Sequence, residues 1–219
     1  GSVGLFLKQF FTEDIESIIF QALGLGTILI GIKMALRLPE GYMLTCIFSL
    51  VVGGLLGAII HLDAMIIDVS EWMKSIAGSS DDNFSDGLIT AFLLFCVGSM
   101  SIIGSIEEGL QGKRELLIVK STLDGFSSIA LAATLGVGVI FSIIPMLIFQ
   151  GSLTISAKWL RNIFDDKTTD LLSSVGGLLI LAIAFNLLSL GDINLENLLP
   201  ALVVAVLLSK AQISYNNGK

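Results

Sequence analysis

A lysine and an aspartate lie in the middle of an almost entirely apolar stretch of the sequence. The segment KSTLDGFSS, residues 120–128, follows ELLIV and precedes IALAATLGVGVIF. Lys120 and Asp124 are four residues apart, so on a helix they share one face and can form an ion pair. A charge near the centre of a bilayer costs about 3 kcal/mol or more unless it is paired or solvated, and it marks a functional site by default. The pair therefore predicts a site for a proton, a small cation or an anionic substrate.

The same pair also has a purely structural interpretation. A buried ion pair can fix how helices pack, although such pairs are often no more stabilising than apolar side chains of similar size. In the functional interpretation, Asp124 binds a proton or a small cation, and Lys120 is its counter-ion or binds an anionic substrate. The sequence leaves both interpretations open.

Six further polar side chains within apolar runs are predicted to line the same site. Their hydroxyl and amide groups can coordinate an ion or bind a small solute, although such groups often only join helices. They are Ser99, Ser101, Ser121, Thr122, Gln150 and Asn186. No metal or cofactor site is predicted, because His61 is the single histidine and both cysteines, Cys46 and Cys96, fall inside apolar runs.

The composition predicts that membrane-spanning helices position these residues. Of 219 residues, 54% are hydrophobic and only 14% are charged, whereas soluble domains carry about 25% charged residues. In a bilayer only helices and closed barrels satisfy their backbone hydrogen bonds, and the alternating pattern of a barrel is absent from this sequence. The net charge of −7 argues against a nucleic-acid partner, which requires a basic surface.

The apolar runs predict an all-α, polytopic helix bundle of about eight transmembrane helices that forms a single transmembrane domain, residues 1–219. The runs cover about 1–11, 15–37, 42–62, 87–104, 116–134, 137–157, 171–190 and 197–210. The first run is too short to span a bilayer, which requires roughly 20 residues. We therefore expect that an upstream part of the first helix is missing.

The connection between the third and fourth runs, residues 63–86, is predicted to form an outer amphipathic helix and an acidic loop. Its apolar residues recur at helical spacing before the loop sequence GSSDDNFSDG begins. The acidic cluster of Asp81, Asp82 and Asp86 would attract cations or would simply form a solvated loop.

The distribution of lysine and arginine predicts the sidedness of the bundle. Of the 12 basic residues, only Lys8 and Lys74 fall on one side. Because cytoplasmic loops are rich in basic residues, the other side is cytoplasmic, both termini are cytoplasmic, and residues 63–86 lie outside. The basic residues on the cytoplasmic side are Lys33, Arg37, Lys113, Arg114, Lys120, Lys158, Arg161, Lys167, Lys210 and Lys219.

Weak internal similarity predicts an inverted repeat. GSVGLFLK at 1–8 resembles GSLTISAK at 151–158, and ALGLGTILIGIKMAL at 22–36 resembles SVGGLLILAIAFNLL at 174–188. The offset stays at about 150 residues across three helices. An odd number of helices separates equivalent positions, so the two repeats must cross the membrane in opposite directions.

The repeat makes helices 1–3, about 1–62, equivalent to helices 6–8, about 137–210. It leaves helices 4 and 5, residues 87–136, as a central pair that carries most of the polar residues at membrane depth. Inverted repeats with a site at their interface are typical of secondary transporters. In helix 3, Gly53 and Gly57 form a small-xxx-small pattern that supports helix contact or dimerisation.

Several segments resemble a known bacterial family. LLFCVGSMSIIGSIEEGLQG, LLIVKSTLDGFSSIALAATLGVGVIFS and FQGSLT, together with QALGLGTILIGIKMAL, are similar to bacterial inner-membrane proteins of the YdfK/YqgA type. The resemblance covers nearly the whole chain. It implies a multi-pass protein of the bacterial inner (plasma) membrane with a complete first helix, and it implies no established activity.

The sequence therefore favours a small secondary transporter or channel-like permease for an ion or small solute, with proton or sodium coupling through Asp124. The expected partners are the bilayer, that ion or solute, and a second copy in a homodimer. The alternative is a non-transporting scaffold or sensor in which Lys120 and Asp124 form a structural pair. An enzyme is not expected, because no catalytic motif appears and an intramembrane aspartyl protease would need a second membrane aspartate.

Overall fold

The structure is a computed structural model that describes residues 13–79, 83–96, 99–160 and 163–217. These residues form helices and no strand. The helices are α1 (Glu13–Ala35), α2 (Met43–Ile59), α3 (Leu62–Ala77), α4 (Phe84–Cys96), α5 (Ser99–Gln111), α6 (Glu115–Leu135), α7 (Gly138–Phe141), α8 (Ile143–Ile155), α9 (Ala157–Leu160), α10 (Asp166–Leu187), α11 (Leu195–Leu198) and α12 (Pro200–Asn217).

Four segments of the described chain are long and apolar enough to cross a membrane. They are Glu115–Leu135, Gly138–Ile155, Asp166–Leu187 and Leu195–Ser214. A fifth span results if α2 and α3, which meet at a bend of 66°, are counted as one. The predicted helical membrane protein is thus confirmed. The count of eight helices remains a prediction, and its first run, residues 1–11, lies outside the described residues.

The predicted outer amphipathic helix corresponds to α3. The chain turns into it at His61, whose φ of 53° is left-handed, and leaves it at Gly78, whose φ of 60° is also left-handed. A left-handed residue after the last turn commonly ends a helix. The predicted loop is shorter than expected, because α4 already begins at Phe84.

Within the predicted helix over 87–104, the structure describes the helical segments α4 and α5. Residues 97–98 between them lie outside the described residues. The buried hydroxyl of Ser101, in α5, donates a hydrogen bond of 2.8 Å to the carbonyl oxygen of Phe95, in the last turn of α4. This bond joins α5 to the last described turn of α4.

Glycines allow two pairs of helices to pack closely and in opposite directions. A Cβ atom at Gly24 would lie 2.6 Å from Leu188, and one at Gly31 would lie 2.7 Å from Leu181, so α1 and α10 run antiparallel. In α2, a Cβ atom at Gly53 would lie 2.3 Å from the Ala201 backbone, and one at Gly57 would lie 2.1 Å from the Asn197 carbonyl oxygen. Gly53 and Gly57 therefore serve a contact within the chain.

Helix α10 lies at the centre of the bundle. Of its most apolar window, 67% is buried inside the protein, against 22% for each of the other three long segments. A helix that is apolar on all sides is stable only when it is surrounded by other apolar groups. The remaining long segments therefore present most of their apolar surface to lipid, and the polar sites described next lie between α4, α6, the α7–α8 segment and α10.

Candidate functional site

Lys120 and Asp124 form the predicted ion pair on α6. The Lys120 ammonium donates to Oδ2 of Asp124, and the two side chains are only 10% and 22% exposed. Both residues lie in a segment long and apolar enough to cross the membrane. The pair is thus a charged group within apolar surroundings, and each partner offsets the desolvation cost of the other.

A neighbouring helix supplies a second partner for the Lys120 ammonium group. Lys120 Nζ lies 5.7 Å from the centroid of the Phe95 ring, in the last turn of α4. A cation over an aromatic face is stabilised by about 0.5–2 kcal/mol, with the larger values in desolvated settings. The contact fixes the ammonium group between α4 and α6, where the predicted central pair of helices meets.

A cavity of about 300 Å³ opens beside this pair, and we call it the pair cavity. One wall is a face of α6, and the opposite wall is the α7–α8 segment. It is lined by Phe95, Leu117, Lys120, Ser121, Asp124, Gly125, Ser128, Val139, Ile140, Ser142, Ile143, Met146 and Gln150. Holding one water requires about 10–15 Å³ of such volume, so the cavity has room for several waters or a small solute.

Two serine hydroxyls of the pair cavity donate hydrogen bonds to backbone carbonyls. Ser128 Oγ donates to the Gly125 carbonyl at 2.8 Å, and Ser142 Oγ donates to the Val139 carbonyl at 2.7 Å. Because the hydroxyl proton of Ser142 is already bound, its oxygen lone pairs remain for another partner. Together with the Asp124 carboxylate, this oxygen is suited to a small cation or to the donor groups of a solute.

A second cavity, of about 470 Å³, lies at the other end of α4, and we call it the Asp86 cavity. It is lined by Gln21, Asn83, Asp86, Thr90, Leu135, Ile183, Asn186, Leu187, Leu188, Ser189 and Leu195. Asp86 is the one formally charged residue among them. These residues come from α1, α4, the ends of α6 and α10, and the loop before α11.

An apolar cluster separates the two cavities, and we call it the apolar partition. It consists of Ala91, Phe95, Leu131, Ala132, Leu135 and Val139. Phe95 and Val139 also line the pair cavity, and Leu135 lines the Asp86 cavity. Each cavity is therefore closed towards the other by the same buried side chains.

Comparison with known proteins identifies the family. Residues 1–210 match the family described as "Protein of unknown function (DUF554)". The chain belongs to this family. It is 33% identical over 204 residues to "Uncharacterized membrane protein YdfK" of Bacillus subtilis (strain 168), which covers 92% of this chain and 86% of that protein. It is 29% identical over 216 residues to "Uncharacterized protein YqgA" of Escherichia coli (strain K12), which covers 96% and 91%.

These matches confirm the predicted resemblance to YdfK/YqgA-type proteins. No solved structure matches the chain. The description of the DUF554 family and the names of the two relatives state no reaction and no substrate. A function for this member must therefore be argued from the chemistry of its own cavities.

The structure brings four of the predicted site residues together. Lys120, Ser121, Asp124 and Gln150 all line the pair cavity. Gln150, in α8, is 26 residues from Asp124 along the chain, so only the packing of α8 against α6 places it there.

The other four predicted residues lie elsewhere. Thr122 lines a groove together with Glu108 and Arg114, and its hydroxyl donates to the Ile118 carbonyl at 2.9 Å. Ser101 is bound to the end of α4, as described above. Asn186 lines the Asp86 cavity, and the side chain of Ser99 lies outside the described residues.

Thr122 and Ser101 are predicted to line the site because both lie at membrane depth. Depth, however, does not determine the direction in which a side chain points. Two residues on from Lys120, Thr122 points to a different side of α6, because helical neighbours are three or four residues apart. Ser101 is directed to a backbone carbonyl instead of a cavity.

Phe95, Ser128 and Ser142 line the pair cavity but are not among the predicted site residues. Ser128 carries a usable signal, because it is four residues after Asp124 and eight after Lys120 and so continues the same helical face. Phe95 and Ser142 carry none, since a phenylalanine or an isolated serine within an apolar run most often only packs.

Proposed function

We propose that this DUF554 protein is a small secondary transporter or channel-like permease for an ion or small solute, and not an enzyme. Asp124 is the coupling site for a proton or sodium ion, and Lys120 is its counter-ion. The observation that carries the proposal is the pair cavity, which places a carboxylate, an ammonium group and an acceptor hydroxyl inside a membrane-spanning bundle. Intramembrane charges that face a cavity typically mark ion or substrate pathways.

Two cavities on either side of an apolar partition support this mechanism. A transporter must open its site to one side while it remains closed to the other. In the present conformation, Phe95, Leu131 and Leu135 stand between the pair cavity and the Asp86 cavity. A rearrangement of these side chains and of α4 would connect the two.

The proposal includes the inverted repeat of helices 1–3 and 6–8. Under the repeat, α1 is equivalent to α10, and α2 is equivalent to α12. Each of these helices packs antiparallel against its own equivalent, with Gly24 against Leu188 in the first pair and Gly53 against Ala201 in the second. Antiparallel packing of equivalent helices is what two repeats of opposite direction require.

The proposal also includes eight transmembrane helices in the bacterial inner membrane with both termini in the cytoplasm. Two contacts support this sidedness. Lys210 Nζ lies 2.7 Å from Asp165, and both are predicted to be cytoplasmic. Asn194 Nδ2 lies 3.2 Å from Asp63, and both are predicted to be outside. A homodimer remains part of the proposal, and light scattering of the detergent-solubilised protein would test it.

Charge movement in proteoliposomes tests the transport proposal. The full-length protein and Asp124→Asn are placed on a supported membrane and exposed to sodium, potassium and pH jumps, while a pH-sensitive dye in the lumen detects electroneutral proton movement. We expect a signal in the wild type that Asp124→Asn abolishes. Asp68→Asn, which removes the same charge from the exposed side of α3, is the matched control and should retain the signal.

Exchange of the two charges distinguishes transport from the structural alternative. The variant with Lys120→Asp and Asp124→Lys preserves an ion pair but moves the carboxylate by one helical turn. A structural pair would tolerate the exchange, whereas a transport site would lose its ion. No signal under any gradient from the folded wild type, together with a stable exchanged variant, would favour the scaffold or sensor function.

A further inference from the structure

The Asp86 cavity contains a carboxylate without a counter-charge. Among the described residues, Asp86 forms no ion pair and no hydrogen bond, and its side chain is exposed to solvent at the wall of this cavity. This contrasts with Asp124, whose charge is balanced by Lys120. The wall of the Asp86 cavity carries a formal charge of −1, because its other lining residues are neutral.

Four helix ends meet at this cavity. Leu135 is the last residue of α6 and Leu187 is the last residue of α10, whereas Asp86 lies in the first turn of α4 and Leu195 is the first residue of α11. The C-terminal end of a helix carries roughly half a negative charge, and its N-terminal end carries roughly half a positive charge. Because two ends of each sign meet here, they add no net charge, and the negative charge of the cavity wall comes from Asp86.

Neutral oxygen groups surround the carboxylate. Thr90 lies one helical turn after Asp86 on α4, and Asn83 precedes the helix. On the opposite wall, Ser189 has a left-handed φ of 54°, and Asn186 holds the loop in place through two 2.9 Å bonds with the Ile193 backbone. This wall is thus formed by a loop held in place by Asn186 and by the end of a helix. The oxygen atoms of the lining side chains are the type of ligand that alkali and alkaline-earth cations prefer.

We propose that the Asp86 cavity binds a monovalent alkali cation, and that Asp86 supplies the charged ligand. Calcium sites collect six to eight oxygen ligands, with several carboxylates among them, whereas this wall has one. Transition metals favour His and Cys ligands, and no group of three His, Cys, Asp or Glu residues that could hold a metal occurs in the described part of the chain.

This site is distinct from the coupling site at Asp124. The linings of the two cavities share no residue, and members of the apolar partition line each of them. The inference goes beyond the proposed transport function, since cation binding at Asp86 does not require that Asp124 couples transport. If both hold, the Asp86 cavity concentrates the cation at the outer face before it reaches Asp124.

Equilibrium binding of ²²Na⁺ and ⁸⁶Rb⁺ to the purified full-length chain in nanodiscs tests the proposal. Loss of even an outer-shell partner weakens metal affinity by about 10- to 100-fold, so we expect Asp86→Asn to weaken binding at least about tenfold. Asp68→Asn, the matched charge-removing variant on α3, should bind as the wild type does. Asp86→Glu should recover part of the affinity if the carboxylate is the ligand.

Other outcomes would overturn the inference. The first is the absence of saturable binding of either ion to the folded wild type. The second is unchanged binding in Asp86→Asn, and the third is displacement of ²²Na⁺ by calcium at far lower concentration than by sodium. Binding that survives in Asp86→Asn but is lost in Asp124→Asn would assign the cation to the pair cavity. That result would reject this inference and still support the proposed transport function.

Discussion

In the pair cavity, Asp124 has Lys120 beside it, whereas in the Asp86 cavity the carboxylate has no cation beside it among the described residues. Both cavities adjoin the same short helix α4 and the same apolar partition. The difference is one of depth. Asp86 lies in the first turn of α4, close to water, so its charge is tolerated without a partner. Asp124 lies within a membrane-spanning segment, where an unpaired charge is costly.

This comparison indicates that the two carboxylates need different events to bind an ion. An ion can bind at Asp86 without breaking any contact that the structure describes. At Asp124 an ion or a proton must compete with the Lys120 ammonium, so binding is coupled to a change in the ion pair. Such competition links ion binding to a conformational change, because the ligand shifts the equilibrium by its differential affinity for the two states.

We expect the largest loss of stability from Lys120→Met. This substitution removes the counter-charge that Asp124 has and Asp86 lacks. The variant leaves Asp124 as an uncompensated charge at depth, and breaking a buried pair in this way costs about 3–5 kcal/mol of unfolding free energy. Reversible unfolding in bicelles would measure the loss. The double variant Lys120→Met with Asp124→Leu should recover most of the stability, and equal losses in the single and double variants would contradict the prediction.

A smaller loss of stability is expected from Gly138→Ala, which disturbs the close contact between the starts of α4 and α7. A Cβ atom at Gly138 would lie 2.0 Å from the carbonyl oxygen of Phe84, so the start of α4 would have to move away from α7. Overpacking of this kind costs about 1–3 kcal/mol. Thermal unfolding in nanodiscs and ²²Na⁺ binding should both change.

The matched control for Gly138→Ala is Gly26→Ala. A Cβ atom at Gly26 would meet nothing within 4 Å. We expect no loss of stability there, and a loss equal to that of Gly138→Ala would show that the close approach to Phe84 is not the cause.

Phe95→Leu should distinguish the packing role of Phe95 in the apolar partition from its contact with the Lys120 ammonium. The substitution removes the ring under the Lys120 ammonium, whose contribution is about 0.5–2 kcal/mol, while it keeps an apolar side chain in the partition. We expect a matching loss of stability and a change in the ion dependence of charge movement. Phe126→Leu, on an exposed part of α6 where the ring is 72% exposed, should change neither.

The smallest effect is expected from Asp165→Asn, at an aspartate–lysine pair in a more solvated setting. Burial raises the pKa of Asp165, but hydrogen bonds from Lys210 and from the Thr168 backbone N–H outweigh it and hold the pKa below its ordinary value of 3.8. A carboxyl with a lowered pKa stabilises the fold above the ordinary value, and this stabilisation is lost as the pH falls through the lowered value.

The Asp165 side chain is 40% exposed, so screening limits the pair to at most about 1 kcal/mol. Asparagine caps a helix as well as aspartate does, so the variant removes the charge and keeps the cap of α10. We expect the unfolding free energies of the wild type and Asp165→Asn to differ slightly at neutral pH and to become equal in acid. Thermal unfolding at several pH values checks this, and a difference that grows in acid would refute it.

Much of the fold and part of the candidate site follow from the sequence. The spacing of Lys120 and Asp124 predicts their pairing, because a helical turn places residues four apart on one face. The apolar runs predict the long helices α6, α8 and α10, since the bilayer leaves no water for unpaired backbone groups. Membrane depth alone, however, assigned Thr122 and Asn186 to a cavity that neither of them lines.

By itself, then, the sequence determined the helices, the pairing of Lys120 with Asp124, and the family to which the chain belongs. Only the tertiary structure decided that Gln150 joins the pair cavity and that Asp86 lines a second cavity. The physical reason is that helical periodicity and hydropathy are local properties. Which helix faces pack together depends on many weak apolar contacts, and those contacts differ little from one apolar run to another.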